Sequence, residues 1–589
     1  MNKKDLIPIV LLFALFLAYP KIDEKFVSKI FPPKAKPVPA VVETAQAPSL
    51  PADTSLAAAP ESAAQPAEAA APATEATPAA EAAAQPEAEK SPEVLTTLAN
   101  DRVELTFSSH GAGVVQAAIL EYPSEKGSDV PVTFDFSGRP AAAPVGYPGL
   151  GDRADFEVAG SAADSVSYRK ALPGGLVLTR TLTLGSGYQV RIEDRLENAS
   201  SAAVVLNGHG LQAGFMANLP GEKEEQSPLL GVDTLAGSED VEYWGGKLDK
   251  WFSEDGKGKA QFLPGPGEEP VLVDWVAVKN KYFTQILTPE ETPGLCQAEA
   301  IRGAPVKSTF LGIFPRTSVP IAKVAAALRL PEFELGAGQS LALNATWYVG
   351  PKVYTELKAN GPHQEDILQL GFWRVVGIWI LKIMVWIQAH IWPYSYGLAI
   401  ILLTFMIRIV FWPLNHKSMV STRHMQEVQP VIAAMREKFK DNPQRQQQEM
   451  MAIYKEHKIN PMGGCLPMLI QIPVFFALFV VLKGAIELRF SSFLWIADLS
   501  TPENLFKDVL PFPINILPIF MGVTMWLQQK MTPTSDPQQQ KMMMMMPVIF
   551  TFMFYSFPSG LSLYWSVNQV MMIVQLAWMK KRHPVLAKK

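Results

Sequence analysis

Cysteine is almost absent from this chain: Cys296 and Cys465 are the only two in 589 residues. They fall in halves of different character, which argues against a disulfide framework. No Cys/His cluster has the spacing of a metal site. The long soluble-looking stretch from Glu93 to Gly350 contains only His110 and His209, far apart, and has no nucleophile elbow, HExxH helix or phosphate-binding loop. Acidic neighbours such as Glu193 and Asp194 read as a solvated strand edge. No cofactor and no catalytic activity are expected, and without a nucleotide loop no ATP-driven step. Basic residues are missing between Pro37 and Glu89. That Ala/Pro/Glu-rich segment cannot bury enough apolar surface to offset its ordering entropy, and reads as an extended acidic tether over 21–92.

What is present is segregated. Lys3 and Lys4 precede an apolar run from Leu6 to Ala18, short for a span, with no small-x-small site after it. An uncleaved N-terminal anchor over 1–20 is the favoured reading over a signal peptide, with its lysines inside. From about Glu93 to Gly350 apolar residues alternate with polar ones. Leu178, Leu182 and Leu184 share one parity, with Arg180 as the exception, and Tyr188, Val190 and Ile192 repeat the pattern. Turn signals at Gly174-Gly175, Gly185-Ser186-Gly187 and Gly265-Pro266-Gly267 complete the signature of a large antiparallel β-sandwich over 93–350.

After Pro351 the pattern turns helical. Arg374, Lys382 and Gln388 fall within about 120° on a helical wheel, beside Trp373, Trp379, Trp386 and Trp392. That suits an amphipathic interfacial helix within 351–392. The run from Leu398 to Leu414 is apolar apart from Arg408, with Thr404 one turn earlier, and reads as a span over 393–416. An intramembrane arginine costs roughly 2.5–3.5 kcal/mol on insertion scales and is a functional candidate by default. Five residues from Pro413, it can also snorkel to the interface. Residues 417–465 carry eight Lys and Arg and two apolar stripes, one of Val428, Ile432, Met435 and Phe439, the other of Met450, Ile453, Tyr454 and His457. Separated by Asp441-Asn442-Pro443, they predict a cytoplasmic helical hairpin.

Four more apolar segments follow within 466–580, approximately Leu466 to Leu482, Ile514 to Leu527, Met542 to Phe557 and Leu561 to Met579. A basic tail occupies 581–589. Loop charges place both termini inside, giving a polytopic α-helical membrane protein with an anchor, a five-helix core and a large external β-domain. Lys483 and Glu487, one turn apart near an outer membrane end, read as an interface pair.

The run Asn460-Pro461-Met462-Gly463-Gly464-Cys465-Leu466-Pro467, continuing through Leu469-Ile470-Gln471-Ile472-Pro473, and the run Phe557-Pro558-Ser559-Gly560-Leu561 with Leu563-Tyr564-Trp565 resemble the YidC/Oxa family of membrane protein insertases. The resemblance covers roughly residues 370–580, in the right motif order. The β-domain behind an anchor is similar to the form found in Gram-negative inner membranes. The resemblance implies five core helices around a groove open to cytoplasm and lipid and closed outside, with the arginine inside it. It implies nascent membrane proteins as substrates and the bilayer's lipids as surroundings, with the Sec translocon as an expected partner; separately, the basic hairpin and the tail Lys580–Lys589 read either as a surface for ribosome-bound chains or as ordinary positive-inside charge.

The polar residues available to line such a groove are Thr404, Arg408, Gln471, Ser562, Ser566, Asn568 and Gln569. Their ordinary alternative is interhelical hydrogen bonding, worth about 0.6 kcal/mol each. Phe475, Phe476, Tyr564 and Trp565 are candidates for an adaptable apolar slide, while Met542 to Met546 read as packing. A secondary transporter using Arg408 as an anion site would need repeated halves with broken helices, which are not seen. An anchored carbohydrate-binding protein would leave the five later spans unexplained.

Overall fold

A computed structural model of the chain describes residues 91–220, 229–237, 240–252, 260–310, 314–440, 442–457, 466–507, 509–510, 513–531 and 537–582. The expected anchor (1–20), nearly all of the tether, the Asn460–Cys465 motif and the end of the basic tail lie outside the described residues.

The first half is β-rich and its sheets are antiparallel. The largest sheet has nine strands, running from Asp240–Tyr243 through Gly231–Ala236, Trp275–Lys279, Phe283–Pro289, Ser340–Pro351, Gln189–Asn198, Leu176–Leu184 and Ser165–Leu172 to Glu157–Ser161. Seven-stranded and four-stranded sheets accompany it and share one apolar core. Alternation decides which faces meet. Leu178, Leu182 and Leu184 point inward with Tyr188, Val190 and Ile192, because side chains two apart share a face.

Arg180 points inward too, fully buried. Its Nε and Nη2 donate to both carboxylate oxygens of Asp194 at 2.7 and 2.8 Å, and its Nη1 donates to the carbonyls of Ala112 and Ala142. Asp194 is therefore no solvated edge residue. The alternation that leaves Glu193 exposed turns Asp194 into the core, where a bidentate arginine satisfies it.

The β-rich unit does not stop at Gly350. Leu357, on the short helix Tyr354–Asn360, and Ile367, on the 3-10 turn Gln364–Leu368, join its core. Tyr243 OH donates to Asp366 O and Trp275 Nε1 to Pro362 O. Lys279 Nζ reaches Ile367 O while it pairs with buried Asp233.

Helix α1 (Arg374–His390) begins where Arg374 binds Glu365 at 3.1 Å and Asp366 at 2.9 Å. It buries Gly377, Ile380, Leu381, Met384 and Ile387, and exposes Val375, Trp379 and Trp386. The stretch Gly371–His390 is the one helix among the described residues long and apolar enough to cross a membrane by length and composition.

Helix α2 (Tyr396–Val410) ends before the apolar run does, and α3 (Trp412–Glu427) starts afresh. Pro413, which lacks an N–H, fits a helix start and disfavours continuation through it. Two short helices follow, α4 (Gln429–Lys438) and α5 (Pro443–Glu456), the latter capped by Asn442 Oδ1 accepting from Arg445 N. Val428, Ile432, Met435 and Tyr454 pack together, with Phe439, Met450 and Ile453 against them, while His457 is exposed.

The remaining helices are α6 (Leu466–Gly484), α7 (Ile516–Met531), α8 (Pro537–Phe554) and α9 (Ser559–Arg582). Each of α7 to α9 outruns or precedes its apolar segment by taking in polar flanks.

The loop between α6 and α7 ties the two halves together. Arg489 donates to the carbonyls of Pro123 and Ser124 at 2.7 and 2.9 Å, and Tyr282 OH donates to Ser500 Oγ. Ile486 enters the β-domain core. The same loop grips the start of α9, where Ser559 Oγ donates to Asp498 O and Gly560 N to Leu499 O. It also caps α7 through Glu503 Oε2, which accepts from Leu517 N.

Candidate functional site

Helix α2 buries Gly397, Ile400, Thr404 and Arg408 along one stripe and exposes Phe405, Met406, Ile409 and Val410. The spacing of three and four residues puts the stripe on one face. Thr404 spends its hydroxyl within the helix, donating to Ile400 O at 2.7 Å. Arg408, one turn on, reaches across to α9. Its Nε donates to Asn568 Oδ1 at 2.8 Å and its Nη2 to the Asn568 backbone oxygen at 2.9 Å. No acidic side chain pairs with Arg408 among the described residues. A guanidinium only 7% exposed is thus held by neutral oxygens, its charge uncompensated.

One turn before Asn568 on α9, Tyr564 is fully buried and accepts a hydrogen bond from Gln471 Nε2 of α6. The arginine, the asparagine, the tyrosine and the glutamine therefore lie along one polar line joining α2, α9 and α6. Ser562, Ser566 and Gln569 occupy a different face of α9, about 140° away at 100° per residue. All three are buried. Ser562 Oγ, Ser566 Oγ and Gln569 Oε1 have no partner among the described residues. Of the seven polar residues singled out in the sequence, the structure gathers Arg408, Asn568 and Gln471 on the first line and sets the two serines and Gln569 on a second. A buried amide or hydroxyl without a partner is unfavourable by about 1–3 kcal/mol, so this enclosed stripe is held at a cost in stability.

The aromatic candidates are packed among helices. Phe475 lies 5.1 Å from Trp565, ring centre to ring centre, and Phe550 and Phe554 of α8 surround the same indole at 5.9 and 5.7 Å. Phe475 and Tyr564 are buried, whereas Phe476 and Trp565 are half-buried and Phe476 stacks with Trp373. Sequence inspection missed Gln575, buried with Nε2 unpartnered among the described residues. It sits seven residues after Asn568, and that two-turn spacing was the available signal. It also missed Asn415, buried at the start of α3, seven residues after Arg408. Among the described residues no group of His, Cys, Asp and Glu could hold a metal.

Lys483 and Glu487 do not pair among the described residues. Lys483 Nζ sits 5.7 Å from the centre of the Phe479 ring. Glu487, in the 3-10 turn Ile486–Leu488 after α6, lies near Tyr122 of the β-domain and Tyr396. Its Oε2 is enclosed without a partner among the described residues, and burial pushes its carboxyl up to about 7.

Known proteins resemble this chain over most of its length. Residues 95–387 match the family model described as the YidC periplasmic domain, and residues 386–587 the one described as a 60Kd inner membrane protein. The chain is 33% identical over 467 residues to the membrane protein insertase YidC of Pelobacter propionicus, with 77% of this chain and 79% of that protein covered. It is 34% identical over 486 residues to the YidC of Geobacter sulfurreducens, with 80% and 83% covered. A crystal structure described as an active YidC insertase with its first transmembrane domain resolved covers 82% of this chain and 92% of its own, at 18% identity and a TM-score of 0.34.

Proposed function

The chain belongs to the YidC family of membrane protein insertases, and from that premise we propose that it inserts nascent inner-membrane proteins through the polar faces of α2, α6 and α9. In this reading the core spans are α2, α6, α7, α8 and α9, behind an N-terminal anchor at 1–20. Helix α1 lies in the outer interface, α4 and α5 form the cytoplasmic hairpin, and the β-domain is periplasmic. Insertion proceeds alone or with the Sec translocon. The basic residues of the hairpin and tail receive ribosome-bound chains.

The observation that carries the proposal is Arg408, buried and, among the described residues, held only by Asn568 oxygens. A substrate span of about twenty apolar residues enters lipid downhill, by roughly 0.3–0.6 kcal/mol per strongly apolar residue. The barrier is its polar flank. An unpaired guanidinium attracts an acidic residue of that flank by up to about 4 kcal/mol at roughly 4 Å and an effective dielectric of about 20, before desolvation is subtracted. The oxygens of Ser562, Ser566 and Gln569, enclosed and without a partner among the described residues, become acceptors for substrate backbone N–H groups when the helices part to admit the span. The apolar span passes beside the half-buried rings of Phe476 and Trp565, with Phe475 and Tyr564 packed behind them as backing.

The test is photo-crosslinking to a ribosome-bound single-span chain. A probe at Gln471, Ser566 or Gln569 should capture the chain, and one at Val574, 62% exposed on α9, should capture chiefly lipid. Equal capture at all four positions would contradict the route.

A further inference from the structure

We infer that Asn568 is a positioning residue, a neutral clamp that aims Arg408 at an acidic group of the substrate while leaving its charge unspent. The inference rests on the reading of Arg408 given above and adds the residue that makes the arginine available.

The geometry carries it. A guanidinium presents two edges to a carboxylate, one through Nε and Nη2 and one through both terminal nitrogens. Asn568 occupies the first edge with two oxygens from a single residue, its side-chain amide at 2.8 Å and its backbone carbonyl at 2.9 Å. The second edge is open. Nη1 has no partner among the described residues, yet it is not among the nitrogens sealed from access. The orientation is fixed from two sides: Arg408 hangs from a buried stripe of α2, and Asn568 is itself 7% exposed on α9.

The chemistry of the clamp matters as much as its position. A carboxylate at 568 would have nearly the same shape, but it would neutralise the guanidinium within the protein. In a site this dry, the internal pair would outcompete any substrate carboxylate arriving from water. An amide carries only a partial charge, so it orients the arginine and leaves most of its attraction for a guest. A hydrophobic residue at 568 would leave Nε unsatisfied and hold the guanidinium by the backbone carbonyl alone. Of the side chains that fit, one with a neutral acceptor oxygen keeps both orientation and charge.

The experiment uses the full chain in liposomes and two single-span substrates, one with two aspartates in its outer flank and one with asparagines in their place. Initial rates of protease protection give the preference for the acidic flank. The parent protein should prefer it by at least tenfold. Asn568→Asp should bring the preference within twofold of unity by slowing the acidic substrate several-fold more than the neutral one. Asn568→Gln, which keeps an uncharged amide oxygen, should retain the preference. A preserved preference in Asn568→Asp would overturn the inference. So would equal slowing of both substrates in both variants, since that is the signature of a purely structural role. A preserved preference in Arg408→Ala would instead overturn the role of Arg408 itself, so the two failures are distinguishable.

Discussion

Glu487 lies where the β-domain meets the helices, and replacing it with glutamine should change how stability depends on pH. Burial raises its carboxyl from an ordinary value of 4.5 to about 7. Below about pH 4.5 the group is protonated in both the folded and the unfolded chain, and folding gains or loses nothing through it. Between about pH 4.5 and about pH 7 the unfolded chain releases the proton and the folded one keeps it, so stability falls as pH rises. Above about pH 7 both forms are ionised and the penalty is complete. That rise corresponds to about 3 kcal/mol of stability lost by pH 8. Thermal unfolding in nanodiscs from pH 5 to pH 8 should show the parent losing stability across that range. Glu487→Gln should lose less and end more stable than the parent at pH 8. Identical pH slopes for the two proteins would refute the argument, and so would a Glu487→Gln protein that is the less stable at pH 8.

Three further outcomes follow from packing and pairing. Lys279→Met should destabilise the protein by about 3–5 kcal/mol in chemical denaturation, because it strands Asp233 as a buried charge; Lys279→Met with Asp233→Leu should recover most of that. Arg489→Ala should remove about 2 kcal/mol of docking, given two hydrogen bonds from a charged donor to Pro123 and Ser124. Faster hydrogen exchange in the α6–α7 loop and at the end of the strand Gly113–Pro123 would report it. Gly397→Ala would place a Cβ 2.1 Å from Cγ of Phe493. The overlap should cost about 1–3 kcal/mol as a lower melting temperature.

The parts of the fold readable from sequence are those governed by local periodicity. Leu178, Leu182 and Leu184 declared a strand face, and the stripes of Val428, Ile432 and Met435 and of Met450 and Ile453 declared two helices. Both patterns record which side of an element is dry. Arg180 and Asp194 were legible only separately. One broke an apolar parity and the other resembled surface charge, and nothing local says that two strands align them. The joint between the halves was illegible for a related reason. Arg489 bonds to the carbonyls of Pro123 and Ser124, and a backbone acceptor has no side-chain signature.

At the candidate site, Arg408 stood out because a charge in an apolar run is expensive. Polar residues on the last helix could be named as a group. Their division between two faces follows from 100° per residue, whereas the choice of Asn568 as the partner of Arg408 depends on how α2 and α9 approach each other.

The central claim is that Arg408 promotes insertion by its charge. Its most direct measurement is the rate at which a short single-span protein with an acidic outer flank becomes protease-protected in liposomes holding only this protein, without translocon or nucleotide. The account predicts acceleration over empty liposomes that is lost in Arg408→Ala and kept in Arg408→Lys. Acceleration that survives Arg408→Ala, or none with the parent protein, would contradict it.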